Sequence, residues 1–203
     1  MPRQVDHHAR RTQIADALMR IAADRGLEAV SLRHVAAEAG VSTGMVQHYF
    51  RTKDEMMVFA LDVVSDRVQA RLTAGAGELG DDPSPKSVVR ALLVQLLPLD
   101  EERRLEGHVG LAFFAYAAVK PAIAAGLREN TAGMRAFIAD HVRAARASDG
   151  TAGGLAGIGA DDAATALLAL VEGLGMHVLG GHFSRETALA AFDAHLDALF
   201  GPG

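Results

Sequence analysis

Two serines and one glycine constrain this chain more than any other feature. In the run Ser31-Leu-Arg-His-Val-Ala-Ala-Glu-Ala-Gly-Val-Ser-Thr-Gly-Met-Val-Gln-His48, Ser31 and Ser42 each stand where a hydroxyl caps a helix, with Gly40 between them. Gly40 can adopt the left-handed backbone that ends one helix and turns the chain sharply into the next. The pattern predicts two short helices, 31–38 and 42–48, joined by Ala39-Gly40-Val41. That is the spacing of a helix-turn-helix. Ala36 is small where the second helix must cross, and Leu32, Val35, Val41 and Val46 are placed to fill the seam.

Around this unit the chain reads as helix throughout. Over 8–25, Ile14, Leu18, Ile21 and Ala22 recur at helical spacing, and Gly26 is a stop. Thr52 and Glu55, three residues apart, form a capping box that opens a helix to about residue 74. The stretch GAGELGDDPSP at 75–85 is a loop. Further helices are expected near 85–97, 101–118, 121–147, 161–179 and 184–200, with a glycine-rich mobile connection at 150–159. The fold class is therefore all-α. A three-helix helix-turn-helix head (1–55) precedes a helical body (56–203), with about nine helices in total.

Composition narrows the classes further. No run of 18 or more uninterrupted apolar residues exists, so no membrane span is expected, and MPRQVDHHARR lacks the apolar core of a signal peptide. The absence of cysteine excludes a disulfide framework and fits a reducing compartment, so a cytoplasmic location is expected. Charge is unevenly spread. Residues 1–53 hold eight Arg and Lys against five acids, a local +3, so with −5 overall the remainder carries −8. Such asymmetry suits a head that meets a polyanion.

With Met45, Val46, Tyr49 and Phe50 expected to turn largely toward the scaffold, the outward residues are Ser42, Thr43, Gly44, Gln47 and His48. These suit a major groove. Gln47 can pair bidentately with adenine, Thr43 can offer a methyl to thymine or a hydroxyl to phosphate, and Gly44 lets the backbone approach. Lys53, at the start of the next helix, combines a cation with free N–H groups, a phosphate site. Ser31, Arg33 and Tyr49 complete the candidate DNA-binding set. A solvated helix face with ordinary caps is the alternative for any one of them, and the joint spacing favours a recognition surface.

The run from Ser31 to Met56 resembles the DNA-binding head of the tetracycline-repressor (TetR) family of bacterial regulators, and Arg-Arg-Thr-Gln-Ile14 and Gly26 are similar to its first helix. Where that family usually carries an aromatic in the second short helix, Gln47 stands here. The segment from Leu96 to Phe114 is similar to the C-terminal domains of the choline/betaine-regulator branch. The resemblance implies a homodimer that binds a double-stranded DNA operator. It also implies that the last two helices pair across a two-fold and that a small molecule enters the body. Leu167, Leu170, Leu174, Val178, Leu189, Phe192 and Leu196 are then the expected dimer interface, with the core of a monomer as the alternative.

For the effector, an amphipathic or apolar molecule, the candidate lining is His108, Phe113, Phe114, Tyr116, Met134, Phe137 and His177. Aromatic residues on such helices also serve as plain core. Nine histidines fall into no His-Glu-x-x-His pattern, and no Walker loop or Gly-x-Ser-x-Gly occurs, so neither catalytic residues, metal nor cofactor is expected. Three readings remain: a ligand-released dimeric repressor, a regulator without a small-molecule effector, and a helical enzyme or carrier.

Overall fold

The computed structural model describes residues 7–149 and 157–201, which form nine α-helices and three short 3-10 turns. The expected glycine-rich connection lies mostly outside the described residues. Helix α1 spans His7–Arg25, α2 Leu32–Ala39, α3 Thr43–Tyr49, α4 Lys53–Gly75, α5 Pro85–Leu93, α6 Glu101–Val119, α7 Pro121–Asp149, α8 Ala160–Leu179 and α9 Arg185–Phe200. The chain divides into two compact units. The first takes residues up to Gln69 together with His108–Ile123, and the second takes Ala70–Gly107 with residues from Ala124 onward. This division falls within α4 and α6 rather than at the expected 55/56 boundary, because the second half of α6 clusters with the head.

In the first unit the caps form as their chemistry dictates. Ser31 accepts the His34 N–H and Ser42 accepts that of Met45, while Gly40 ends α2 at φ 67°. Thr52 Oγ1 accepts the Glu55 N–H, and the Glu55 carboxylate reaches back to the Arg51 N–H. Ile14, Leu18, Val35, Val46, Phe50, Met56 and Ala60 are fully buried. The Arg11 guanidinium lies over the rings of Phe59 (4.2 Å) and Phe50 (4.8 Å), a cation–π sandwich at the base of α3. Gln13 donates to the Ala39 carbonyl at 2.8 Å, fixing the turn between α2 and α3 against α1. Arg67 of α4 pairs with Asp16 of α1 at 2.6 Å.

The second unit is a bundle whose core joins Val89, Leu93, Leu97, Ile138, Val142, Leu167, Val171, Phe192 and Leu196. Gly175 brings α8 against the Leu96 carbonyl, where an added Cβ would sit 3.4 Å away. Polar ties surround this core. Arg90 forms two bonds to Asp193, Lys86 pairs with Asp197, and Arg185 donates to the Leu99 carbonyl. Arg71 reaches both carboxylate oxygens of Glu106 (3.0 and 2.7 Å) and the Gln95 amide oxygen. Hydrogen bonding to Glu106 outweighs desolvation and holds the Arg71 guanidinium charged beyond its ordinary range.

Several expected interface residues prove to be core of one chain. Leu167, Leu174, Val178, Phe192 and Leu196 are buried within the second unit, and Leu170 and Leu189 pack partly against that core. Leu167, Leu174 and Val178 lie on the inner face of α8, and Phe192 and Leu196 on the inner face of α9. Helix α8 is long and apolar enough to cross a membrane by length and composition alone. Its inner face is instead buried, and Asp161, Asp162 and Glu172 interrupt the rest. Left accessible are Ala166, Ala169 and Met176 on α8, and Thr187, Ala190, Ala194 and Ala198 on α9.

Candidate nucleic-acid interface and a groove beside it

Helix α3 is seven residues long and presents nearly everything it has. Val46 and, just past its end, Phe50 are its buried anchors, and the Phe50 ring meets Phe59 of α4 and the Arg11 guanidinium of α1. Thr43, Gly44, Gln47 and His48 are exposed on the other side, with Ser42 at the cap. Arg33 on α2 is exposed as well, and Ser31 is half-buried. The two capping serines commit their oxygens to backbone N–H groups, so Ser31 and Ser42 keep only a hydroxyl proton to offer a phosphate.

Met45 departs from expectation. It is not a buried anchor; at 38% exposure it stands on the accessible flank of α3, one turn before His48. Helical geometry explains this, because Val46 fills the inward position and turns its neighbour 100° away. Sequence reasoning missed it by treating methionine as an anchor on hydrophobicity alone. Tyr49 is half-buried, with its ring against His7 (4.7 Å) and His48 (5.2 Å). Lys53 does not extend freely: its Nζ donates to the Leu27 carbonyl at 2.6 Å, which leaves two N–H donors for an incoming anion.

The candidate effector residues are shared between the two units. Phe113, at 1% exposure, fills the interior of the first unit, and Phe114 faces outward. In the second unit, Met134 packs against the core, Phe137 is accessible and stacks on His141, and His177 lies against Phe183. His108 and Tyr116 both line the wall of a groove of about 470 Å³ in the first unit. Its other wall is the last turn of α1 (Ala22, Ala23, Gly26) with Leu27 and Glu28; Leu111, Ala112, Ala115 and Val119 complete the α6 side. Tyr116 Oη donates to Asp54 Oδ1 at 2.6 Å. That bond, with burial and the Asp54 and Glu28 charges, raises the phenol above its ordinary range. Among the described residues no group of three or more His, Asp or Glu side chains is arranged to hold a metal ion.

Comparison with known proteins agrees with this geometry. Residues 14–58 match the family of bacterial regulatory proteins of the tetR type, and residues 85–201 match the C-terminal domain of BetI-type transcriptional repressors. The chain is 43% identical over 117 residues to the HTH-type transcriptional regulator PksA of Bacillus subtilis, an alignment spanning 58% of this chain and 56% of PksA. It is 26% identical over 208 residues to the HTH-type transcriptional regulator BetI of Burkholderia thailandensis, covering 100% and 99% of the two chains. A transcriptional regulator from Rhodococcus sp. superposes with TM-score 0.76 at 37% identity, over 93% of this chain and 95% of that one. A Saccharomonospora viridis regulator crystallised with choline superposes with TM-score 0.74 at 24% identity, over 92% and 93%.

Proposed function

Because this chain belongs to the TetR family of bacterial regulators and ends in a BetI-type repressor domain, we propose that it acts as a homodimeric repressor, released from a palindromic operator by a small molecule. It is a DNA-binding transcriptional regulator with a ligand-binding C-terminal domain, in a family of regulators rather than enzymes. Repression, the palindrome, the dimer face and the effector are the proposed part, and the site of action is the cytoplasm, where chromosomal DNA lies. The observation that carries the reading is α3 itself. A short helix held by two buried anchors shows Thr43, Gly44, Met45, Gln47 and His48 outward, a surface shaped for base edges and of no use to a core.

The dimer is proposed to form through the outer faces of α8 and α9. Met176 is 51% exposed, and the small residues Ala166 and Ala169 on α8 and Ala190 and Ala194 on α9 are exposed as well, a surface over which a second copy can approach closely. A helix that buries one apolar face and carries on its accessible side a strip of small and apolar residues (Ala166, Ala169, Met176) offers that strip to a partner. Effector release is best tested first with choline, the compound bound by the Saccharomonospora viridis regulator. Fluorescence anisotropy on the DNA flanking the chain's own gene, with and without choline, tests both halves. Binding no tighter than to random DNA rejects the repressor.

Two substitutions probe base reading. Gln47→Ala is expected to lose about 1–3 kcal/mol on the operator and to relax preference at one base pair per half-site. Equal losses on operator and random DNA would remove Gln47 from readout. Met45 is proposed to read a thymine methyl. Replacing operator thymines singly by deoxyuridine should then reveal one position per half-site that costs the wild type about fourfold, from roughly 0.8 kcal/mol per buried methyl. Met45→Ala should be indifferent to that same replacement. Persistent sensitivity in the variant would assign the methyl to another side chain.

A further inference from the structure

We propose that the groove between the last turn of α1, the turn Leu27–Ala29 and the second half of α6 binds an organic ammonium ion, an apolar body carrying at least one N–H donor. Its volume of about 470 Å³ lies within the usual span of small-molecule sites, roughly 300–1,000 Å³. The α6 wall is apolar and unusually accessible, with Leu111 at 42% and Val119 at 73% exposure. This accounts for the apolar part of the ligand.

The polar part follows from what the groove can offer. The single phenolic proton of Tyr116 is committed to Asp54 at 2.6 Å, so its oxygen presents only lone pairs to an occupant. Glu28, on the opposite wall, is a carboxylate and likewise accepts. The last turn of α1 adds the negative end of a helix dipole. The Tyr116 ring already attracts a cation, since the Lys120 ammonium lies 5.6 Å from its centroid. Lys120 is exposed on a flexible stem and can withdraw when a ligand ammonium takes its place. His108 on the α6 wall also carries an N–H donor, but the carboxylate, the phenolic lone pairs and the cation-attracting ring together select a donor that is positively charged.

Such an occupant would rest on the Tyr116–Asp54 bond, one residue from Lys53 in the first turn of α4. Its regulatory meaning depends on the repressor reading above; its binding does not. The test therefore contains no DNA. The chain has two tyrosines and no tryptophan, so the Tyr49→Phe protein reports Tyr116 emission alone. Cyclohexylmethylamine, protonated at neutral pH, is titrated against cyclohexylmethanol and cyclohexanecarboxylate. We expect a saturable change in emission with the amine, about tenfold tighter than with the alcohol, as a charge-assisted hydrogen bond supplies. The carboxylate should bind weakest.

Glu28→Gln should narrow the amine preference by about threefold, a solvent-screened charge, and Lys120→Ala should tighten amine binding. Ala115→Phe fills the groove from an exposed position, and Leu111→Arg sets a fixed cation in its wall; either should abolish the response. Equal binding of all three compounds, no saturable change, or amine binding unaltered in both wall variants would overturn the proposal. Loss of operator binding by the wild type would count against the repressor reading alone.

Discussion

Ala169→Arg and Ala194→Arg should each give a folded monomer that binds the operator at least about 100-fold more weakly than the wild type. Both side chains are exposed in the single chain, so replacing them leaves its core intact and should move its own stability by no more than about 0.5 kcal/mol. In a two-fold bundle of α8 and α9, however, each arginine would meet an alanine-lined partner helix with nowhere to place its charge. A dimer delivers its second head at high effective concentration one helical turn of DNA from the first, about 34 Å away; a monomer grips a half-site only. Sedimentation velocity and anisotropy on the same samples check both halves. A monomeric variant with wild-type operator affinity, or an unaltered dimer, would refute the interface.

The largest stability effect is expected at Glu106→Ala. Its side chain is 5% exposed and that of Arg71 23%. Removing the carboxylate strands a guanidinium that keeps only Gln95 and the more accessible Glu102, 3.8 Å away. Breaking one half of such a pair costs about 3 kcal/mol, which for a chain of this size lowers Tm by roughly 6–12 °C. The double replacement Arg71→Leu with Glu106→Leu should recover most of that loss, because the penalty lies in the uncompensated charge rather than in the missing bond. Thermal unfolding of the three proteins gives the answer. Single and double variants unfolding at the same temperature would show that the pair is not a coupled unit.

Local signals in the sequence carried the head. Ser31, Ser42 and Thr52 cap the helices they were expected to cap, and Gly40 adopts positive φ, because caps and turns depend on residues only a few positions apart. The helix order of the body was legible for the same reason, since periodicity is local. The orientation of α8 was not. Its sequence is largely apolar, and composition cannot say which of its faces meets the chain's own core and which stays accessible. Leu174 and Ala169 differ in that respect only through the position of Leu96, Phe192 and other residues distant in sequence. Glu28 escaped notice as a wall of the groove because nothing near it in sequence marks it.

Helices α4 and α6 each supply residues to both compact units. The DNA-reading part is thus not a cassette that a single cut can lift out. A fragment ending at residue 55 would leave behind Phe59, Ala60 and Val63 of α4, and Val109, Phe113 and Ala117 of α6, all of them buried. Chimeric regulators that exchange operator preference therefore need three junctions, one late in α4 and a pair flanking His108–Ile123. Single-junction hybrids would expose an oily seam, and any lineage diversifying by recombination would find its heads inherited together with a piece of the sequence some forty residues downstream.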